Sequence, residues 1–168
     1  MKECHPGSQQ GNPMELMKLP PDHNPGNCRA ALAGLVRFYE TLSPDTLDQL
    51  PSIYAADAHF KDPFNDVVGV EAISGIFRHM FATVEAPRFE VTTRLLIGRE
   101  AMLGWDFHLR LRGRPRVIRG VTHLGFDADG RVCRHRDYWD PAEELYEHLP
   151  LLGSLMRWLK KRLASPGA

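Results

Sequence analysis

The chain has 168 residues, enough for one domain with a sizeable core. Lys plus Arg and Asp plus Glu both total 21, so the formal charge is zero. That excludes nucleic acid as the main partner, because neutralising phosphates needs a basic surplus. Hydrophobic residues at 43% and charged residues at 25% describe an ordinary globular protein.

No apolar run approaches membrane-spanning length, and the N-terminus lacks the basic-then-apolar order of a signal peptide. Cys4, Cys28 and Cys133 are scattered without CxxC spacing, so a reduced cytoplasmic protein is expected. Residues 1–27 are rich in Pro, Gly, Asn and Gln, lack an apolar period and read as a disordered tail. Met1, Met14 and Met17 are alternative starts.

Over 28–42 the positions Leu32, Leu35, Val36, Tyr39 and Leu42 follow helical spacing. Ser43-Pro44 restarts the chain as N-cap and first helical residue of a second helix carrying Leu47, Leu50, Ile53 and Tyr54, with Pro51 inside it. A short strand over 58–61 ends at Asp62-Pro63, and 64–69 reads as loop. A third helix over 70–84 places Val70, Ile73, Phe77, Met80 and Val84 on one stripe, and a strand over 89–98 follows.

The most informative stretch is 101–140, which reads as a three-stranded antiparallel meander. In its first strand Leu103, Trp105, Phe107, Leu109 and Leu111 share one face, and Gly104, Asp106, His108 and Arg110 the other. Gly113-Arg114-Pro115 and Asp127-Ala128-Asp129-Gly130 supply the turns. Asp140 then opens a C-terminal extension over 141–163, with Glu143 placed for a capping box. Its helix over 151–163 carries a leucine-rich stripe ringed by Arg157, Lys160, Lys161 and Arg162. Such a helix can lie on an anionic membrane surface. We read it instead as packed on protein, the ordinary setting for such a stripe. Residues 164–168 read as a disordered end.

The element order is similar to that of the cone-shaped α+β fold of the nuclear-transport-factor-2-like superfamily. Phe38-Tyr39, the run Tyr54 to Pro63, Gly69 to Ile73 and Phe126 to Val132 resemble its SnoaL-like and ketosteroid-isomerase-like branch. The likeness covers 29–140. It implies a curved antiparallel sheet wrapped around three N-terminal helices, plus a C-terminal helix. It also implies a pocket that binds a small molecule. By resemblance, Asp62 stands where ketosteroid isomerases keep their general base, the handling of a carboxylate by an apolar cavity being their known device. Their oxyanion donors fall on Phe38 and Thr122, so steroid isomerisation is not expected. Arg136-Asp137-Tyr138-Trp139-Asp140 resembles the last-strand motif of limonene epoxide hydrolases, which makes Asp137 the water-activating carboxylate and Asp106 the acid. Their bridging arginine falls on Gly104, and the residues that help hold the water fall on Phe60 and Asp62.

The expected catalytic group is therefore Asp62, Asp106, His108 and Asp137. Phe38, Tyr39, Phe60, Phe64, Thr122, His135 and Trp139 are expected to bind substrate. Carboxylates and imidazole among aromatics suit proton abstraction next to a carbonyl, or water activation. With no HExxH or close His–carboxylate cluster on a helix, neither metal nor other cofactor is expected. The expected function is an isomerase, cyclase or hydrolase acting on a small apolar molecule. A non-catalytic ligand-binding or protein-interaction module is the alternative. Trp105, Phe107, Leu109 and Leu111 need a covering layer, and a homodimer through the sheet would supply one.

Overall fold

The computed structural model of the chain describes residues 25–111 and 113–144, together with Trp158 and Arg162. Of the disordered tail expected over 1–27, residues 1–24 lie outside the described residues, as do most of the helix expected over 151–163 and the end over 164–168, whereas Pro25, Gly26 and Asn27 are ordered as the start of the first helix. The described part is α+β, with four α-helices beside a curved, unclosed six-stranded sheet.

Helix α1 (Pro25–Glu40) buries Leu32, Leu35, Val36 and Tyr39, the stripe expected from their spacing. A 3-10 turn (Pro44–Gln49) leads into the single-turn α2 (Leu50–Ile53), where Pro51 sits in the first turn and forfeits no helical hydrogen bond. Strand β1 (Tyr54–Lys61) starts earlier than its sequence suggests. Tyr54, read as helical, is extended at φ −100° and ψ 145° and opens the strand. Pairing with the last strand overrides the helical spacing here, since Tyr54 stands opposite Val132.

Asp66–Val68, expected as loop, is a short edge strand, β2, paired with β1. Helix α3 (Val70–Thr83) buries Ile73 and Phe77. Strands β3 (Glu85–Ile97), β4 (Glu100–Leu111), β5 (Arg114–Phe126) and β6 (Val132–Tyr138) form the meander. The one-turn α4 (Pro141–Glu144) is capped by Asp140, whose carboxylate accepts the Ala142 N–H at 2.8 Å and the Glu143 N–H at 3.3 Å.

The sheet order is β2-β1-β6-β5-β4-β3. All neighbours are antiparallel except β1 and β6, which run parallel, so the sheet is mixed rather than wholly antiparallel. Residues directly opposite one another share a face. Leu103, Thr122 and Asp137 therefore form one row, and Leu124, His135 and Phe60 the next. This face packs on α1 and α3 and holds the core, with Leu103, Leu124 and Phe60 almost fully buried.

Trp105 and Leu109 are also on it, each 8% exposed, and Phe107 packs against the same core. The apolar face of β4 is thus covered within the chain and does not require a partner. The opposite face exposes Leu95, Ile97, Met102, Val121 and Tyr138 among charged residues.

Candidate active site

The concave face of the sheet carries an uninterrupted line of polar contacts inside an apolar shell. Trp105 Nε1 donates to Thr122 Oγ1 at 2.8 Å, and Thr122 Oγ1 donates to Asp137 Oδ1 at 2.5 Å. On the other side of that carboxylate oxygen lies His135 Nε2, at 2.9 Å. His135 Nδ1 is 2.9 Å from the Tyr54 hydroxyl and 3.2 Å from that of Tyr39, and the two phenols bond each other.

One assignment of protons satisfies every member. Tyr39 donates to Tyr54, Tyr54 to His135 Nδ1, and His135 Nε2–H to Asp137. Thr122, itself the acceptor of the Trp105 indole N–H, gives Asp137 its second donor. Neutral imidazole and ionised carboxylate then coexist without an unpaired proton.

Burial fixes the phenols in their neutral form. Desolvation pushes the Tyr39 hydroxyl well above the ordinary phenol range, with the neighbouring Tyr54 and the charge of Asp137 adding to it. Tyr54 is raised chiefly by the same desolvation. His135 is 3% exposed and stacks on Phe60 with ring centroids 4.5 Å apart, which locks the imidazole plane. Asp137 keeps 18% of its side chain accessible, and its Oδ2 has no hydrogen-bond partner among the described residues. That oxygen is the open end of the line.

Asp137 is one of the groups lining a cavity of about 40 Å³, whose other walls are aromatic and aliphatic apart from Thr122 and His135. At roughly 10–15 Å³ per water, this holds about three waters. A larger guest requires the rings of Phe60, Phe77 or Phe89 to turn aside.

Of the residues expected to bind substrate, Tyr39, Phe60, Thr122 and His135 line this cavity, together with the expected base Asp137. Phe38 is buried behind Tyr39, at 5.7 Å between ring centroids. Phe64 is 55% exposed and meets Trp139 edge-on at 5.4 Å, so these two pair with each other and are not among the lining groups.

Three expected acid–base residues stand elsewhere. Asp62 accepts the backbone N–H groups of Phe64 and Asn65, at 2.7 and 2.6 Å, and closes the turn between β1 and β2. Asp106 lies on the outer face opposite Arg119, 4.0 Å from its guanidinium. His108 lies on that face too, 3.4 Å from Glu90. The alternation within β4 was read correctly, but its polar parity turns away from the helices, so it cannot floor the cavity.

Sequence spacing places Tyr54 in a helix and so misses it, and it leaves Trp105 open between core and dimer interface, whereas the structure puts Trp105 inside. Phe77, Phe89, Val91 and Leu103 complete the lining. The available signal was a polar residue interrupting an apolar strand parity, as Thr122 does beside Leu124 and Phe126. Among the described residues no group of His, Cys, Asp and Glu is arranged to hold a metal ion. No described helix is long and apolar enough to cross a membrane.

Similar architectures are known. A protein of ketosteroid isomerase-like fold from Catenulispora acidiphila, solved with trimethylamine, is 19% identical with a TM-score of 0.58, covering 68% of this chain and 88% of that one. An NTF2-like protein of unknown function from Burkholderia pseudomallei is 16% identical with a TM-score of 0.61, covering 70% and 93%. An LEH-like epoxide hydrolase from M. tuberculosis is 15% identical with a TM-score of 0.59, covering 83% and 98%. At these identities the likeness is one of fold. No curated protein matches the sequence. The model of the SnoaL-like domain matches residues 35–135, well over half of the chain and a span that holds every residue of the cavity and polar line except Asp137, and the chain therefore belongs to the SnoaL-like family.

Proposed function

We propose that the chain is a cofactor-independent acid–base enzyme of the isomerase, cyclase or hydrolase class, with Asp137 as its base and a small carbonyl- or epoxide-bearing apolar molecule as substrate. The observation that carries this reading is the line from Tyr54 through His135 to Asp137, ending in a free carboxylate oxygen at an apolar cavity. A base held by two donors on one oxygen is fixed in orientation, and the other oxygen is left for the proton to be moved. That proton comes from a carbon next to a carbonyl, or from a water placed against an epoxide.

A second reading is a binding module without turnover. It is favoured by the small cavity and by the single carboxylate within it, since Asp62 and Asp106 lie outside. One experiment separates the two. The purified chain is offered small epoxides in ¹⁸O-labelled water and enolisable ketones in deuterium oxide. Catalysis gives label incorporation that falls about a hundredfold or more in Asp137→Asn. Saturable binding of these compounds with no label in any product establishes the module instead.

We also propose that two copies associate through the outer sheet face, where Leu95, Met102, Val121 and Tyr138 stand exposed on four adjacent strands. The attachment rests on these residues, and not on the inward Trp105 and Leu109.

A further inference from the structure

The polar line of the concave face is one half of a closed circuit of side chains. From His135 the circuit continues as rings. Phe60 stacks on the imidazole at 4.5 Å between centroids, and Phe77 meets Phe60 at 6.4 Å. Tyr39 follows at 6.2 Å from Phe77, Phe89 at 5.8 Å from Tyr39, and Trp105 at 5.9 Å from Phe89. The Trp105 indole N–H then returns through Thr122 to the Asp137 carboxylate. All of these side chains line the same cavity of about 40 Å³.

The register accounts for the convergence. Phe60, Phe89 and Trp105 stand on the concave face with Thr122, His135 and Asp137, and Tyr39 and Phe77 come down from α1 and α3. From Phe60 to Trp105 successive rings are tilted by 72°, 50°, 53° and 80°. They therefore turn around the space instead of stacking into a column.

The charge in this aromatic box is unbalanced. Its lining holds the Asp137 carboxylate and neither lysine nor arginine. Among the described residues the ion-pair partner of Asp137 is His135, which is neutral when its Nδ1 accepts from Tyr54. Only 18% of the Asp137 side chain reaches solvent, so its charge is poorly hydrated and a counter-ion would stabilise it. Aromatic ring faces carry negative potential and attract the same kind of ion.

We propose that the cavity binds a compact alkylammonium ion, with an N–H on the Asp137 carboxylate and the alkyl groups against the rings. A bare metal ion would need several oxygen ligands, which these walls lack. Unsubstituted ammonium would leave N–H donors facing carbon. Alkyl groups replace those donors with C–H groups that rings accommodate while the positive charge is kept. Space for about three waters limits the guest to about three or four non-hydrogen atoms. Such binding needs no turnover, so it stands or falls separately from the acid–base reading.

The test is a titration of the ¹⁵N-labelled full chain with dimethylammonium chloride, followed through the indole N–H signals. Sodium chloride at equal ionic strength and ethanol, a neutral guest of the same atom count, are the parallel arms. The chain has three tryptophans, and Trp139→Phe and Trp158→Phe identify the signal of Trp105. Saturable movement of that signal at millimolar concentration is expected, near the ceiling for so small a ligand. Ethanol binds about tenfold more weakly or less. Asp137→Asn weakens binding of the cation about tenfold or more. Phe89→Leu keeps apolar bulk at a half-buried position and weakens it about threefold. The proposal is overturned by an equal response to ethanol or sodium chloride, by movement of the Trp139 or Trp158 signal in place of that of Trp105, or by full affinity in Asp137→Asn. Should Asp137→Asn fail to fold, the comparison of the cation with ethanol on the wild type decides alone.

Discussion

Thr122 and Asp137 stand directly opposite each other on β5 and β6, and the threonine hydroxyl lies 2.5 Å from the carboxylate. The pair ties two strands together and at the same time aims the base. Thr122→Val keeps the shape, strands the buried Trp105 N–H and deprives Asp137 of a donor to its charged form. A loss of about 1–3 kcal/mol is expected in urea unfolding. In any reaction that uses Asp137, kcat falls with it, because the base loses one of the two donors that orient its carboxylate. An unchanged kcat would mean that the threonine is structural only.

Gly120 makes room for the indole that completes this contact. A Cβ there would stand 2.4 Å from two ring atoms of Trp105, and the indole is wedged into the core beside Phe89. Gly120→Ala therefore displaces Trp105 and costs about 1–3 kcal/mol. Near-ultraviolet circular dichroism should change with it, and wild-type stability with an unchanged spectrum would contradict the packing described.

The two buried phenols set an alkaline limit on stability. Both are raised above the ordinary phenol value, so above pH ~10 the unfolded chain loses protons that the folded chain keeps. Stability is fully present below the unfolded value and falls as pH rises beyond it. Phenolate absorbance should show Tyr39 and Tyr54 ionising only with unfolding. Tyr54→Phe should flatten the alkaline slope.

At the acidic end the sign reverses. Lys61 and then His59 hydrogen-bond Asp66 and hold it at about 2, below the ordinary carboxylate range. Its contribution is present above about pH 4 and is lost as pH falls through 2. The cluster is exposed, so the effect is small. Asp66→Asn should remove a shallow slope in melting temperature between these values and leave the neutral range alone.

Association through the outer face is checked by light scattering. Val121→Lys puts a charge at the centre of the exposed apolar residues without touching the core, since Val121 is already 36% exposed. A dimeric wild type and a monomeric variant are the expected pair of results. A monomeric wild type at high concentration would remove the dimer.

Much of the fold was legible because it is written locally. The stripes of α1 and α3, the alternation of β4 and β5, and the turn at Gly113 and Gly130, each with positive φ, all follow from short-range spacing. Tyr54 was misread because a helical interval over a few residues is weaker than the strand pairing with Val132, which lies far along the chain. The site was legible in part. Thr122 and Asp137 are identified through resemblance, and β6 carries His135 and Asp137 at an interval that keeps them on one face.

By itself, then, the sequence determined which residues share a side of each strand, and hence that Asp106 travels with His108 and Trp105 with Leu103. Only the tertiary structure decided which side becomes concave. Alternation is symmetric between the two faces of an isolated strand. The choice is made when helices bury the more apolar face, and the polar groups that accompany it are enclosed there. Register shifts between Val91 and Thr93 and between Gly125 and Phe126 change the parity partway along, which no count of residues within one strand reveals. Thr122, His135 and Asp137 were carried inside with the apolar face they share, in an unbroken stretch of the β5–β6 register, while Asp106 and His108 were left on the outer side of the sheet.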